Sequence, residues 1–231
     1  MLRAVLFDWS GTLVDFSWDD ELLAAGHRAG LAALDRESDA EAFTARFRDQ
    51  LQPALRPGDD YHALLQRELD AGDEDVDRFL DAEYAVWTPA HALLSSAHAL
   101  LESLRVRGLR LGIVANGWPE PARLTRRRLS ELGVADRVDA IVLADEVGVR
   151  KPDPRIFEAA LDRLGVDAAE SAHVGDRLDH DVAGAANAGL TTVQAVWFNA
   201  DERQVDVEPD FVAFTPMDVL NVTRRLALAG A

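Results

Sequence analysis

Apolar residues fall into two regimes along this chain. Residues 2–8 make a near-continuous apolar run, the signature of a buried strand. From about residue 18 to residue 87 the spacing changes to three and four. Leu22, Leu23, Ala25 and Gly26 lead into Leu31 and Leu34, and Phe43, Phe47 and Leu51 follow. Leu64, Leu65 and Leu69 form a third stripe, and Val76, Phe79, Leu80 and Tyr84 a fourth. Each stripe has the helical period. Turn signals at Glu37-Ser38-Asp39, Arg56-Pro57-Gly58-Asp59 and Ala71-Gly72-Asp73 divide them into four helices, and Thr88-Pro89 ends the series. Thereafter strands and helices alternate. Helices are expected over 96–107, 119–132, 154–164, 178–188 and 216–228, and strands over 109–115, 140–143, 171–174, 191–197 and 210–214. Apolar strands alternating with helices predict a parallel α/β sheet covered on both faces. The expected organisation is a core of residues 1–15 and 89–231, interrupted by a helical insertion at 16–88.

Charge narrows the partners. With 41 acidic against 24 basic residues the net charge is −17, which repels nucleic-acid backbones and anionic membranes and favours a metal cation. No cysteine is present, so disulfides, thiolate metal sites and cysteine nucleophiles are excluded. The sequence has no charged-then-apolar leader and no apolar run near the roughly 18 residues a membrane span needs; a cytoplasmic location is the expectation. Among the basic residues Lys151 is the sole lysine. In so arginine-rich a chain, a position that keeps lysine is one where a compact ammonium serves and a planar fork does not.

Four segments end strands or open the loops beyond them: Asp8–Thr12, Ala115-Asn116-Gly117, Lys151-Pro152-Asp153-Pro154 and Gly175-Asp176. In a doubly wound sheet such loops converge on one crevice. Gly11 permits a tight turn after Asp8, with amides able to face an anion. Asp8 and Asp176 would then oppose each other. At ~4 Å and an effective dielectric near 20 they repel by roughly 4 kcal/mol, which calls for a cation or a shared proton. Mg²⁺ suits such a pair, since it takes one or two carboxylates plus waters and phosphate oxygens. Asp8 is the candidate nucleophile, Lys151 the counter-charge, and Asp181 a group placed to orient a metal-bound water, with Asp179 as its substitute. Read alone, Asp176 is an N-cap before Leu178 and Lys-Pro-Asp-Pro a rigid loop before a helix.

Taken in order, these segments resemble the haloacid dehalogenase-like hydrolases, in the branch whose helical cap follows the first motif. The matching residues are Phe7-Asp8-Trp9-Ser10-Gly11-Thr12-Leu13, Val114-Ala115-Asn116-Gly117, Gly148-Val149-Arg150-Lys151-Pro152-Asp153-Pro154 with Ile156-Phe157, and His173-Val174-Gly175-Asp176 through Asp181-Val182-Ala183-Gly184-Ala185. The resemblance implies a Rossmann-like core and a helical-bundle cap that closes over substrate and sets specificity. It implies Mg²⁺ held by Asp8 and Asp176 with the Ser10 backbone carbonyl, and Asp181 completes the candidate metal site as the residue that orients a metal-bound water. It further implies an aspartyl intermediate at Asp8 steadied by Lys151, with Thr12 as a further catalytic residue and a small phosphate ester as substrate.

Two positions depart from the pattern. Ser10 stands where phosphatases of the family carry a second aspartate as general acid and base, a contribution of typically ~10²–10⁴-fold. Ala115 replaces a phosphate-binding hydroxyl, leaving Asn116, Gly117 and nearby amides for that task. Three readings follow: a Mg²⁺-dependent phosphatase that is slow or takes good leaving groups, a dehalogenase-like C–halogen hydrolase, or a weakly catalytic member that binds a phosphorylated ligand or partner. A halide leaves without a proton, and Arg28, Arg36, Arg46 or Arg48 could hold a substrate carboxylate. His27 is a candidate replacement acid, with core packing as its plainer role. Trp118 is read as a loop anchor, Arg126-Arg127-Arg128 as a solvated face, and His173 and His180 as structural.

Overall fold

The computed structural model describes residues 1–15, 19–51, 61–117, 121–198 and 206–229. Eight strands occur among them: β1 (Ala4–Phe7), β2 (Val14–Asp15), β3 (Ala92–Leu93), β4 (Arg110–Ala115), β5 (Ala140–Leu143), β6 (Ser171–Gly175), β7 (Thr191–Ala195) and β8 (Phe211–Ala213). Six form one sheet in the order β5-β4-β1-β6-β7-β8, parallel throughout. This is the expected α/β architecture. Strand β1 is central, with Phe7 opposite Ile113 of β4 on one side and Val174 of β6 on the other. The strand order reverses there, so the crevice beyond Phe7 is the topological switch point.

Helices cover the sheet because their apolar positions repeat on one face. In the Pro154–Leu164 helix Ile156, Phe157, Ala160, Leu161 and Leu164 are buried. They join Leu6, Val114 and Val142 of the strands in one apolar cluster. Asp153 caps this helix by accepting from the Arg155 N–H at 3.0 Å, and Pro154 pre-sets its first turn. Burying each such Leu or Phe stabilises the fold by about 1.5–3 kcal/mol.

Some elements differ from the sequence reading. Strands end at Ala195 and Ala213, and the helix expected at 178–188 opens with a π-helical turn, Leu178–Val182, before Ala183–Asn187. A short helix at Ala144–Val147 and the two-residue antiparallel pair β2–β3 were not expected. Both are too short to show a period. The turn signal at Arg56-Pro57-Gly58-Asp59 and Trp118 lie outside the described residues.

The chain divides into two compact units. One comprises Met1–Asp15, Ala92–Gly117 and Leu129–Ala231, the other Phe16–His91 and Trp118–Arg128. The second is helical. Its core gathers Leu23, Leu31, Phe43, Phe47, Leu64, Leu65, Leu69, Val76, Phe79, Leu80 and Tyr84, the residues of the four stripes. Leu124 is buried in the same cluster, and Arg123 pairs with Asp77 at 2.8 Å and Asp81 at 2.5 Å. These contacts tie Arg123 and Leu124 to the helical unit. The arginine run is not a uniform solvated face either. Arg127 is exposed and reaches Asp81, but Arg128 is half-buried and donates to the Thr88 and His91 carbonyls at 3.2 and 3.1 Å.

A polar group is buried inside the helical unit. The His27 ring is fully buried, with Nδ1 2.9 Å from Thr44 Oγ1 and its plane edge-on to Phe43 and Phe47. Burial, helped by Arg48, lowers its pKa to about 4. Glu83 Oε1 accepts the Tyr61 hydroxyl at 3.1 Å, and burial raises this carboxyl well above its usual range. His27 and Glu83, 3.6 Å apart, are therefore two neutral groups rather than an ion pair. Packing is thus the role of His27, and a proton donor confined this deeply is no replacement acid. Glu83→Gln keeps the shape and neutrality and is expected to leave thermal stability nearly unchanged. Glu83→Leu removes the carboxyl that accepts from Tyr61 at 3.1 Å, and the loss of this buried hydrogen bond should cost about 0.5–1.5 kcal/mol in chemical denaturation.

Candidate active site

Asp8 follows the last residue of β1 and is held there by its N–H bond to the Val174 carbonyl at 2.9 Å. Ala115 and Gly175 end the two flanking strands, so three of the four candidate segments meet at the switch point through sheet register alone. The fourth supplies Lys151, 4% exposed. Its Nζ donates to Asp8 Oδ1 at 2.5 Å and Asp181 Oδ1 at 2.6 Å. The chain's one lysine thus bridges two buried carboxylates.

Asn116 fixes where that lysine starts. Its Oδ1 accepts the Lys151 N–H at 2.8 Å and its Nδ2 donates to the Lys151 carbonyl at 3.1 Å. Asn116, a candidate phosphate-binding residue, is thus a two-point clamp on the Lys151 backbone. Ala115 is buried at 3% exposure, and Gly117 adopts φ +62° beside it. The glycine turn after Asp8 also spends amides internally. Gly11 N–H donates to the Val14 carbonyl, and those of Leu13 and Val14 to that of Trp9. These three do not face an anion. Ser10 is exposed. Thr12 is buried with its Oγ1 unpartnered among the described residues, while its carbonyl accepts from Trp197 Nε1 at 2.9 Å.

Two close approaches depend on glycine. A Cβ on Gly11 would meet the Asp176 carboxylate at 2.5 Å, and Gly11 also takes φ +83°. A Cβ on Gly175 would overlap the Asp181 carboxylate. Absent side chains at these two positions make room for the two acids. Asp176 does not cap the next helix: the N-cap is Arg177, with no side-chain capping bond. Its Oδ1 is buried without a hydrogen-bond partner among the described residues. Asp179 is instead paired with the Arg177 guanidinium at 2.8 Å.

One oxygen each of Asp8, Asp176 and Asp181 lie within 4.8 Å of one another. Burial pushes Asp8 above the usual carboxyl range, with Lys151 pulling against it. Asp176 is pushed up to about 8 by burial and then by the charges of Asp8 and Asp181. Asp181 goes the other way, because Lys151 and the His173 hydrogen bond outweigh its burial. Lys151 is itself held above the ordinary lysine range, as the two carboxylates outweigh its burial. Three acids against one ammonium leave negative charge and an orphaned carboxylate oxygen, a donor set that fits a hard divalent cation. Because Asp181 is already occupied by Lys151 and His173, Asp8 and Asp176 are the better-placed ligands.

The sign of the Asp176 shift yields a pH prediction. Its folded pKa lies above its unfolded value of 3.8, so ionisation disfavours the fold as pH rises from about 4 through about 8. Without added cation, the melting temperature should fall across that window relative to Asp176→Asn. A divalent cation should raise it more at pH 8.5 than at pH 6, because the cation must displace that proton. Differential scanning fluorimetry of the two proteins checks both.

A profile of the haloacid dehalogenase-like hydrolases matches residues 2–189. The chain belongs to this family. Within it, the chain is 32% identical over 240 residues to a glyceraldehyde 3-phosphate phosphatase of Methanopyrus kandleri, covering 98% of this chain and 99% of that one. A HAD phosphatase from Thermococcus onnurineus shares the fold at TM-score 0.68 and 25% identity, covering 96% and 98% of the two chains. A 2-haloacid dehalogenase from Pseudomonas syringae does so at TM-score 0.71 and 23% identity, covering 97% and 99%. This member of the family is a hydrolase with a Rossmann-like fold. The shared fold does not separate the two chemistries, so the choice between them rests on the site.

His173 is the residue that sequence reasoning undervalued. Its Nε2 lies 2.9 Å from Asp181 Oδ1, with the ring 1% exposed. The signal was available: a histidine in a fully buried strand must find a hydrogen-bond partner.

Proposed function

We propose that this chain hydrolyses a small phosphate ester with Mg²⁺, through an aspartyl-phosphate at Asp8. The carrying observation is Asp176. A half-buried carboxylate whose buried Oδ1 has no hydrogen-bond partner among the described residues, and whose pKa is raised to about 8, is costly without a cation, and a dehalogenase-like reaction gives it no task. The phosphatase relative adds support.

Asp8, Asp176 and the Ser10 backbone carbonyl would hold the ion, backed by Asp181; when bound it supplies charge neutralisation at the phosphoryl oxygens. Lys151 holds Asp8 Oδ1, which leaves Asp8 Oδ2 to attack phosphorus. An Asp8–phosphorus oxygen bond forms, the ester P–O bond breaks, and the leaving oxygen departs with the electron pair. An ammonium has three N–H donors, and the two carboxylates take two of them, leaving one for the incoming anion. Water then attacks phosphorus and returns the Asp8 carboxylate. No acid stands at Ser10 to protonate the leaving oxygen, so turnover should rise as the leaving group becomes less basic.

A panel of phosphate esters and 2-haloacids, each with Mg²⁺ and with chelator, tests this reading. Metal-dependent release of phosphate is expected; chelator-insensitive release of halide would point to C–halogen hydrolysis. Ser10→Asp restores an acid at an exposed position that tolerates it. It should raise kcat for an alkyl phosphate by about tenfold or more, and much less for p-nitrophenyl phosphate. An unchanged rate on both would count against phosphate-ester chemistry.

A further inference from the structure

We infer that His173 is a positioning residue that confines the Lys151 ammonium by fixing the Asp181 carboxylate. Asp181 Oδ1 takes the Lys151 ammonium and Oδ2 the Arg177 N–H, so both carboxylate oxygens act as acceptors. His173 Nε2 therefore carries the proton and donates it to Asp181 Oδ1 at 2.9 Å, the same oxygen that takes Lys151 Nζ at 2.6 Å. The Arg177 N–H holds the other oxygen at 3.1 Å. Phe157 meets the imidazole edge-on, with ring centroids 4.9 Å apart and an interplanar angle of 81°, so the ring plane is set by packing. Among the described residues His173 Nδ1 has no hydrogen-bond partner and the bond to Asp181 is the ring's one polar contact. The order of support runs from Phe157 to His173, Asp181, Lys151 and Asp8. Remove the imidazole donor, and Asp181 Oδ1 is anchored by the ammonium alone, the group it is meant to hold still.

The kinetic consequence rests on the proposed phosphatase reaction; the confinement of the ammonium does not. Because Lys151 is the only lysine, ¹⁵N-lysine labelling gives a single side-chain ammonium resonance, observable without turnover. The test compares wild type, His173→Gln, which keeps a donor, and His173→Phe, which keeps the ring but not the donor. In His173→Phe we expect proton exchange at Nζ to quicken by about tenfold or more. In the same variant kcat for p-nitrophenyl phosphate should fall about tenfold with KM within about threefold. His173→Gln should recover most of both. If His173→Phe does not fold, His173→Met makes the same comparison. An unchanged ammonium signal in the donor-free variant would overturn the inference, and so would equal impairment of the Gln and donor-free variants, which marks a packing role. Should wild type hydrolyse no phosphate ester, the phosphatase reading fails while the resonance still decides the role of His173.

Discussion

Asp8→Asn should abolish turnover, lowering kcat by at least about 10⁴-fold, without unfolding the protein. Asparagine has nearly the same shape, but its amide is no nucleophile and carries no charge for Lys151 to steady. The charge removed is one of those pushing Asp176 upward, and Lys151 keeps its second partner, Asp181, at 2.6 Å. Melting temperature without added cation is therefore expected to hold or rise as activity vanishes. Thermal melts run beside the assay separate loss of the nucleophile from loss of the fold.

Lys151→Arg should be nearly as damaging, although it conserves charge. The ammonium is 4% exposed, within 2.5 Å of Asp8 Oδ1 and 2.6 Å of Asp181 Oδ1. A guanidinium is wider, planar and fork-shaped, and cannot place one nitrogen between two carboxylate oxygens at that spacing without displacing them. We expect kcat to fall by about 10²-fold or more, since the loss is of charge held in place rather than of charge itself. Lys151→Met removes the charge and leaves buried Asp8 and Asp181 uncompensated, which should cost about 3–5 kcal/mol of stability. Activity assays and chemical denaturation of both variants check the pair of expectations.

Much of this was legible in the sequence. The α/β alternation was readable because each long element shows its period, and the helical stripes correspond to the buried core of the second unit. Asp8, Lys151, Asp176 and Asp181 were identified from segment order, and the structure brings them together. Other features depend on contacts that no local pattern encodes. The Asn116 clamp on Lys151 joins residues 35 apart, and the His173 bond to Asp181 links a strand to the turn after it. The capping alternative for Asp176 was plausible locally; its orphaned oxygen became visible only once side chains were placed. Substrate identity stayed hidden because helical stripes encode a core, not a ligand.

The central claim is that Asp8 carries the phosphoryl group. Wild-type protein is mixed with p-nitrophenyl phosphate and Mg²⁺, quenched in acid during turnover, reduced with borohydride and digested for peptide mass spectrometry. An aspartyl-phosphate at Asp8 is reduced to homoserine, so the account predicts homoserine at position 8 in wild type and none when substrate is omitted. Steady phosphate release with aspartate intact at position 8, or with the modification at another residue, would contradict it.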